Sequence, residues 1–171
     1  YDSGEYEAAL DAALEAADYA SLRAEQQRRR EAGDRHQMGI GVATYVEITG
    51  FGGSEYGEVR LRPDGTFLAI TGSTPIGTGH VTTWAMLVAD RLGVPMDQIE
   101  VFHGDTDVVP SGDTTGGSRS VQLAGSAMAD ASEKLVEVAR QAAADQLEAA
   151  VADIVLEEGT FHVAGTPAVG R

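Results

Sequence analysis

Two stretches of the chain combine residue types that can hold an anion. Gly77, Thr78, Gly79 and His80 follow an extended run and open an apolar-periodic stretch, and Gly116, Gly117, Ser118, Arg119 and Ser120 repeat the design further on. A glycine turn that leads into a helix N-terminus presents backbone N–H groups the helix leaves unpaired, together with the positive end of its dipole. The second stretch adds two hydroxyls and a guanidinium fork. Two such seats suit a ligand with a phosphate and a second polar end. Taken singly, each also fits glycines that make tight turns and serines that cap helices.

Spacing discriminates among the known phosphate loops. A Walker A loop needs Lys followed by Ser or Thr after its glycines, and the sole lysine, Lys134, lies far from either stretch. The dinucleotide fingerprint fails at its third glycine, because Thr82 stands after Gly77 and Gly79 without one. Asp105, Asp107 and Asp113 could ligate a hard cation, but no glutamate follows at EF-hand spacing, and Asx turns are the simpler reading. His36, His80, His103 and His162 lack the i, i+4 pairing of a helical zinc site, so no metal ligand is assigned. Ser126 sits inside a helical pattern with no strand before it, which removes a nucleophile elbow. Trp84 falls on the apolar side of its helix and reads as core.

Composition narrows the partners. Twelve Lys and Arg against 27 Asp and Glu leave a net charge of −15 over 171 residues, which disfavours nucleic acid and anionic lipid. Cysteine is absent, so thiolate metal sites, disulfides and a cysteine nucleophile are excluded. No stretch reaches the roughly 18 apolar residues of a membrane span, and the start at Tyr1 lacks the basic residues of a signal peptide, which predicts a cytoplasmic protein. A chain that starts without Met and stops at Arg171, just after Pro167, reads as a piece of a larger protein.

The elements that must position the two glycine stretches follow from periodicity. Tyr6, Leu10 and Leu14 predict a first helix with Asp2 and Glu5 as a capping box, running past Arg28, Arg29 and Arg30 to Gly33. Alternation over Gly39 to Ile48 predicts a strand. Glu55 to Leu61 and Thr66 to Thr71 predict an antiparallel hairpin around Arg62, Pro63, Asp64 and Gly65. A helix follows Gly79 through Trp84, Leu87, Val88 and Leu92, stopped by Gly93 and Pro95. Gln98 to His103 is a short strand, Gly104 to Gly117 a loop, and Ser118 or Ser120 the cap of a long helix reaching Leu147. Ile154 to Leu156 and Thr160 to Val163 close a last hairpin. The fold class is α+β, two layers, with a mixed and mostly antiparallel sheet packed on the Trp84 and Met128 helices. Residues 1–38 form an N-terminal helix and connector, and 39–171 the main domain.

The order Gly77, Thr78, Gly79, His80, Val81, Thr82, Thr83, Trp84, then His103, Gly104, Asp105, Thr106, Asp107, then Gly117, Ser118, Arg119, Ser120 resembles one family. So do Gly39, Ile40, Gly41, the run Tyr45 to Gly50, and Ser54, Glu55, Tyr56, Gly57. The chain is similar over nearly its whole length to the molybdenum-binding large subunit of the molybdenum hydroxylases: xanthine dehydrogenase, aldehyde oxidase and aerobic carbon monoxide dehydrogenase. The resemblance implies that 39–171 is part of a molybdopterin-binding domain. It implies molybdopterin, in a form that can carry a cytosine dinucleotide, gripped largely by backbone amides at Gly77, Thr78, Gly79, His80, Gly117, Ser118, Arg119 and Ser120. It implies an oxidoreductase that hydroxylates a carbon centre of a small molecule, an aldehyde, N-heterocycle or related compound, with oxygen from water. Iron-sulfur clusters and FAD are expected on other domains or subunits, the remaining segments of the large subunit as partners, and the catalytic base beyond Arg171. Two departures stand out: Thr78 occupies the place of the family's glutamine, and Thr114 and Gly116, on either side of Thr115, replace the usual glycine and aromatic residue. The competing readings are a phosphate- or nucleotide-binding module without redox activity and a purely structural piece.

Overall fold

A computed structural model describes residues 3–166 and 170. The chain forms two compact units, Tyr1–Tyr45 and Val46–Arg171.

The first unit carries two helices where periodicity predicts one: α1 at Tyr6–Ala16 and α2 at Tyr19–Glu31. The break is Asp18, which takes a left-handed φ of 47° while its carboxylate accepts the backbone N–H of Ser21 at 3.4 Å. Asp is among the few residues that tolerate this conformation, and its side chain caps the next helix, so no glycine or proline marks the interruption. Glu5 is the N-cap of α1 but makes no side-chain capping bond, and Asp2 lies outside the described residues. No residue of α1 is buried. The far end of α2 closes as expected at Gly33, with its N–H on Arg30 and that of Asp34 on Arg29, the paired bonds of a Schellman motif.

Residues 39–48 are irregular, against the expectation of a strand. Val42, Tyr45, Val46 and Ile48 are exposed. Alternation selects a face, but a strand also needs a neighbour to complete its ladder, and no described residue pairs with this segment. Gly39 and Gly41 lower its intrinsic preference further.

The second unit holds the core. β1 (Gly57–Leu61) pairs antiparallel with β2 (Phe67–Thr71) from Gly57 opposite Thr71 to Leu61 opposite Phe67. Between them Gly65 adopts φ 85°, and Arg62 N–H bonds to Thr66 at 2.8 Å. β3 (Ile99–Phe102) runs parallel to β2 on its other side, which makes β2 central. The intervening α3 (His80–Leu92) is punctuated by left-handed glycines, Gly79 at its N-cap and Gly93 at its C-cap. α4 (Gly125–Leu147) lies against β1 and α3, and α3 against β3. Ala69, Ala85, Val88, Ala89, Leu92, Ile99 and Met128 form the core between these layers, with Trp84 and Ile70 fully buried. A second cluster, Ala143, Ala144 and Ile154, joins α4 to the hairpin of β4 (Ile154–Glu157) and β5 (Thr160–Val163). Two of the three strand pairings are antiparallel, so the mixed α+β class stands.

One element differs in kind. The long helix starts with a π turn, Ser120–Ala124, and neither Ser118 nor Ser120 caps it by its side chain. Ser118 takes a left-handed φ of 52°, and the Ser120 hydroxyl is spent on Thr115.

Candidate functional site

The first glycine stretch leaves β2 through the buried Ser73 and enters α3. Gly77 (φ 86°) and Gly79 (φ 76°) occupy the left-handed region that a Cβ strains, and each borders open space. No side chain caps α3, and its first internal bond is Thr83 N–H to the Gly79 carbonyl. The N–H groups of His80, Val81 and Thr82 therefore have no partner among the described residues, beside the positive end of the helix dipole. Thr78 Oγ1 lies 3.0 Å from His80 Nδ1, and the His80 ring leans on Trp84 at 5.3 Å. Thr78 thus faces its own helix start rather than reaching outward. A seat made of backbone donors suits the phosphate end of an anionic cofactor, so the residues present fit such a group.

The second stretch is occupied by its own neighbours. The carbonyls of Gly117 and Ser118 accept the N–H groups of Phe51 (3.4 Å) and Gly50 (3.1 Å). Arg119 is buried, 6% exposed, with one guanidinium nitrogen on the Asp113 carboxylate and another 3.3 Å from the Ser54 carbonyl. Its Nε is buried without a partner. The Asp113 carboxyl is held below the ordinary range, first by the backbone N–H of Thr114 and then by Arg119. Of the three loop aspartates, Asp113 ties down Arg119, whereas Asp105 accepts the N–H of Asp107 at 2.9 Å in an Asx turn.

The two stretches are joined by two bonds. The Trp84 indole N–H donates to the Ser120 carbonyl at 3.1 Å, linking α3 to the π turn. The Thr115 hydroxyl donates to the Thr74 carbonyl at 2.6 Å, linking the approach to each loop. Beside this junction a polar cleft of about 670 Å³ runs between Thr74, Ile76, Asp105, Ser111 and Thr114. None of Gly77, Thr78, Gly79, His80, Gly117, Ser118, Arg119 or Ser120 lines it. By sequence, Ser54, Glu55 and Thr115 enter only as part of the family resemblance, and no site role is assigned to them or to Ser73, because their roles depend on contacts between distant segments.

The histidines stay apart. His103 Nδ1 is buried without a partner, His162 sits on Glu157 at 3.1 Å, and among the described residues no group of His, Asp and Glu could hold a metal. No helix among the described residues is long and apolar enough to cross a membrane.

Residues 12–170 match the family model of the molybdopterin cofactor-binding domain. The chain is 40% identical over 177 residues to the carbon monoxide dehydrogenase large chain of Hydrogenophaga pseudoflava, covering 96% of this chain and 22% of that protein. It is 35% identical to the 6-hydroxypseudooxynicotine dehydrogenase complex subunit gamma of Paenarthrobacter nicotinovorans, over 97% of this chain and 21% of that protein. The solved structure of reconstituted CO dehydrogenase from Oligotropha carboxidovorans superposes with a TM-score of 0.70 at 36% identity, covering all of this chain and 23% of that one. The chain thus spans about a fifth of the length of the relatives it matches.

Proposed function

The chain belongs to the molybdopterin cofactor-binding domain family, and from that premise we propose that its α3 loop seats the phosphate end of molybdopterin in a molybdenum hydroxylase. The observation that carries this reading is the open N-terminus of α3, where the N–H groups of His80, Val81 and Thr82 have no partner among the described residues. Gly77 and Gly79 keep the backbone close to the ligand, and Thr78 contributes main chain rather than a side-chain contact to the metal centre. Gly117, Ser118, Arg119 and Ser120 form the second wall, with Arg119 ordering the loop from within. In this proposal the cofactor-binding portion is 39–171, and 1–38 carries the two helices α1 and α2 with a connector.

When bound, the cofactor supplies transfer of oxygen derived from water to a carbon centre of a small substrate. The chain's own residues bind and orient it; the catalytic base belongs to another part of the parent protein. The cytosine dinucleotide form, iron-sulfur and FAD partners that carry electrons away, and a cytoplasmic setting complete the proposal. The test is molybdenum analysis and pterin extraction on the full-length protein that carries this chain, purified from a host that makes molybdopterin. One molybdenum and one pterin per chain are expected; a protein that folds and carries neither overturns the reading.

A further inference from the structure

We propose that Glu55 is a positioning residue that fixes the distance between the two glycine loops, an inference that rests on reading those loops as the cofactor seat. Its carboxylate gathers three donors. Oε2 accepts the Ser73 hydroxyl at 2.8 Å and the Asp113 N–H at 3.4 Å, while Oε1 accepts the N–H of Tyr56 at 3.0 Å. Ser73 stands four residues before Gly77, and Asp113 four before Gly117. One side chain therefore grips the approach to both loops at the same offset.

The backbone around it leaves no slack. A Cβ on Gly72 would lie 2.4 Å from Glu55 Oε1, from the Gly112 Cα and from the Ser111 carbonyl oxygen, and a Cβ on Gly112 would lie 2.5 Å from the Gly72 Cα. Two segments of the chain cross in direct contact at paired glycines, and the carboxylate sits against the crossing. Arg119 closes the ring from the far side, bonding to the Asp113 carboxylate and to the Ser54 carbonyl next to Glu55. Only a carboxylate accepts from all three donors; an amide turns its NH₂ either toward the Tyr56 N–H or toward both loop donors, so it weakens the clamp without removing it. Glu55 touches neither helix N-terminus; it acts through Ser73 and Asp113.

The experiment is hydrogen exchange by mass spectrometry on Glu55→Ala and Glu55→Gln without cofactor, with Met128→Ala as a variant that lowers global stability from the core. Glu55→Ala is expected to speed exchange over 73–80 and 113–120 by roughly ten- to a hundredfold, with α4 unchanged, and Glu55→Gln by a smaller factor in the same peptides. Should Glu55→Ala not fold, Glu55→Gln alone carries the test. Loop exchange equal to the unsubstituted chain, or raised only in step with the rest of the molecule as in Met128→Ala, overturns the inference. In the full-length protein from a molybdopterin-producing host, Glu55→Gln should lose pterin content at an unchanged melting temperature. Full pterin content there overturns the link to the cofactor. An unsubstituted protein without pterin counts against the function reading alone, since the exchange result is read without cofactor.

Discussion

Replacing Arg119 by lysine separates a fork from a charge. The guanidinium divides its nitrogens between the Asp113 carboxylate and the Ser54 carbonyl, partners 59 positions apart in the chain. A lysine keeps the positive charge but holds one partner at a time. The bond to Ser54 is charge-assisted and lies at a 6% exposed side chain, so its loss costs about 1–3 kcal/mol. Asp113 is 58% exposed, so its end of the pair is screened by solvent. A loss near 2 kcal/mol corresponds to a drop of about 4–8 °C for a chain of this size. The assay is thermal denaturation by circular dichroism, at pH 7, without cofactor. Acid provides an internal check. The Asp113 carboxyl is depressed in the folded state, so the pair's contribution is present above the ordinary aspartate range and disappears as pH falls through the folded value. Most of the difference between Arg119→Lys and the unsubstituted chain comes from the Ser54 carbonyl, which does not titrate, so that difference should persist in acid while both proteins melt lower. A variant that melts within a degree of the unsubstituted chain at pH 7 refutes the argument, and loss of molybdenum from the full-length variant at unchanged melting temperature would assign Arg119 to the ligand instead.

Trp84→Phe removes the indole N–H that reaches the Ser120 carbonyl and shrinks a fully buried side chain, and should cost about 2–4 kcal/mol in chemical denaturation; a loss below about 0.5 kcal/mol would show the bond to be idle. In the full-length protein, Gly77→Ala should abolish pterin retention because alanine is strained at φ 86°, whereas Thr78→Ala should leave it within about twofold; equal effects of the two would sink the backbone seat. Glu25 is held down to about 2 by hydrogen bonds from Arg28 and Arg29, so its support of α2 is complete above the ordinary carboxylate range and fades as pH falls toward that value. Helicity measured by circular dichroism should fall over that window, and the fall should be smaller in Glu25→Gln.

What could be read from the sequence was local. The Pro63–Asp64–Gly65 turn and the glycines bracketing α3 each signal through neighbours within four residues, and each lies where expected. The break at Asp18 escaped because an aspartate between Ala17 and Tyr19 fits a continuous helix as well as a cap. Residues 39–48 misled for the converse reason: alternation is present, but pairing depends on a partner the pattern does not encode. At the candidate site, the glycines and Arg119 were visible by type. The bond from Arg119 to Ser54, 65 residues back, and that from Asp113 to Glu55, 58 residues back, have no local signature.

The π turn at Ser120–Ala124 bears on how the chain tolerates deletions. A π turn holds about one residue more than an α turn, and it persists where surrounding contacts require the extra length. Excising a single residue there would let the segment settle into regular α-helix, a gain for the helix alone. It would also rotate everything upstream by about 100° relative to the α4 face that packs at Met128. The Ser120 carbonyl would leave the Trp84 indole, and Arg119 would turn away from Asp113 and Ser54. The loop's geometry is thus maintained against a simpler helix by one surplus residue, and shortening this segment trades the site for helical regularity.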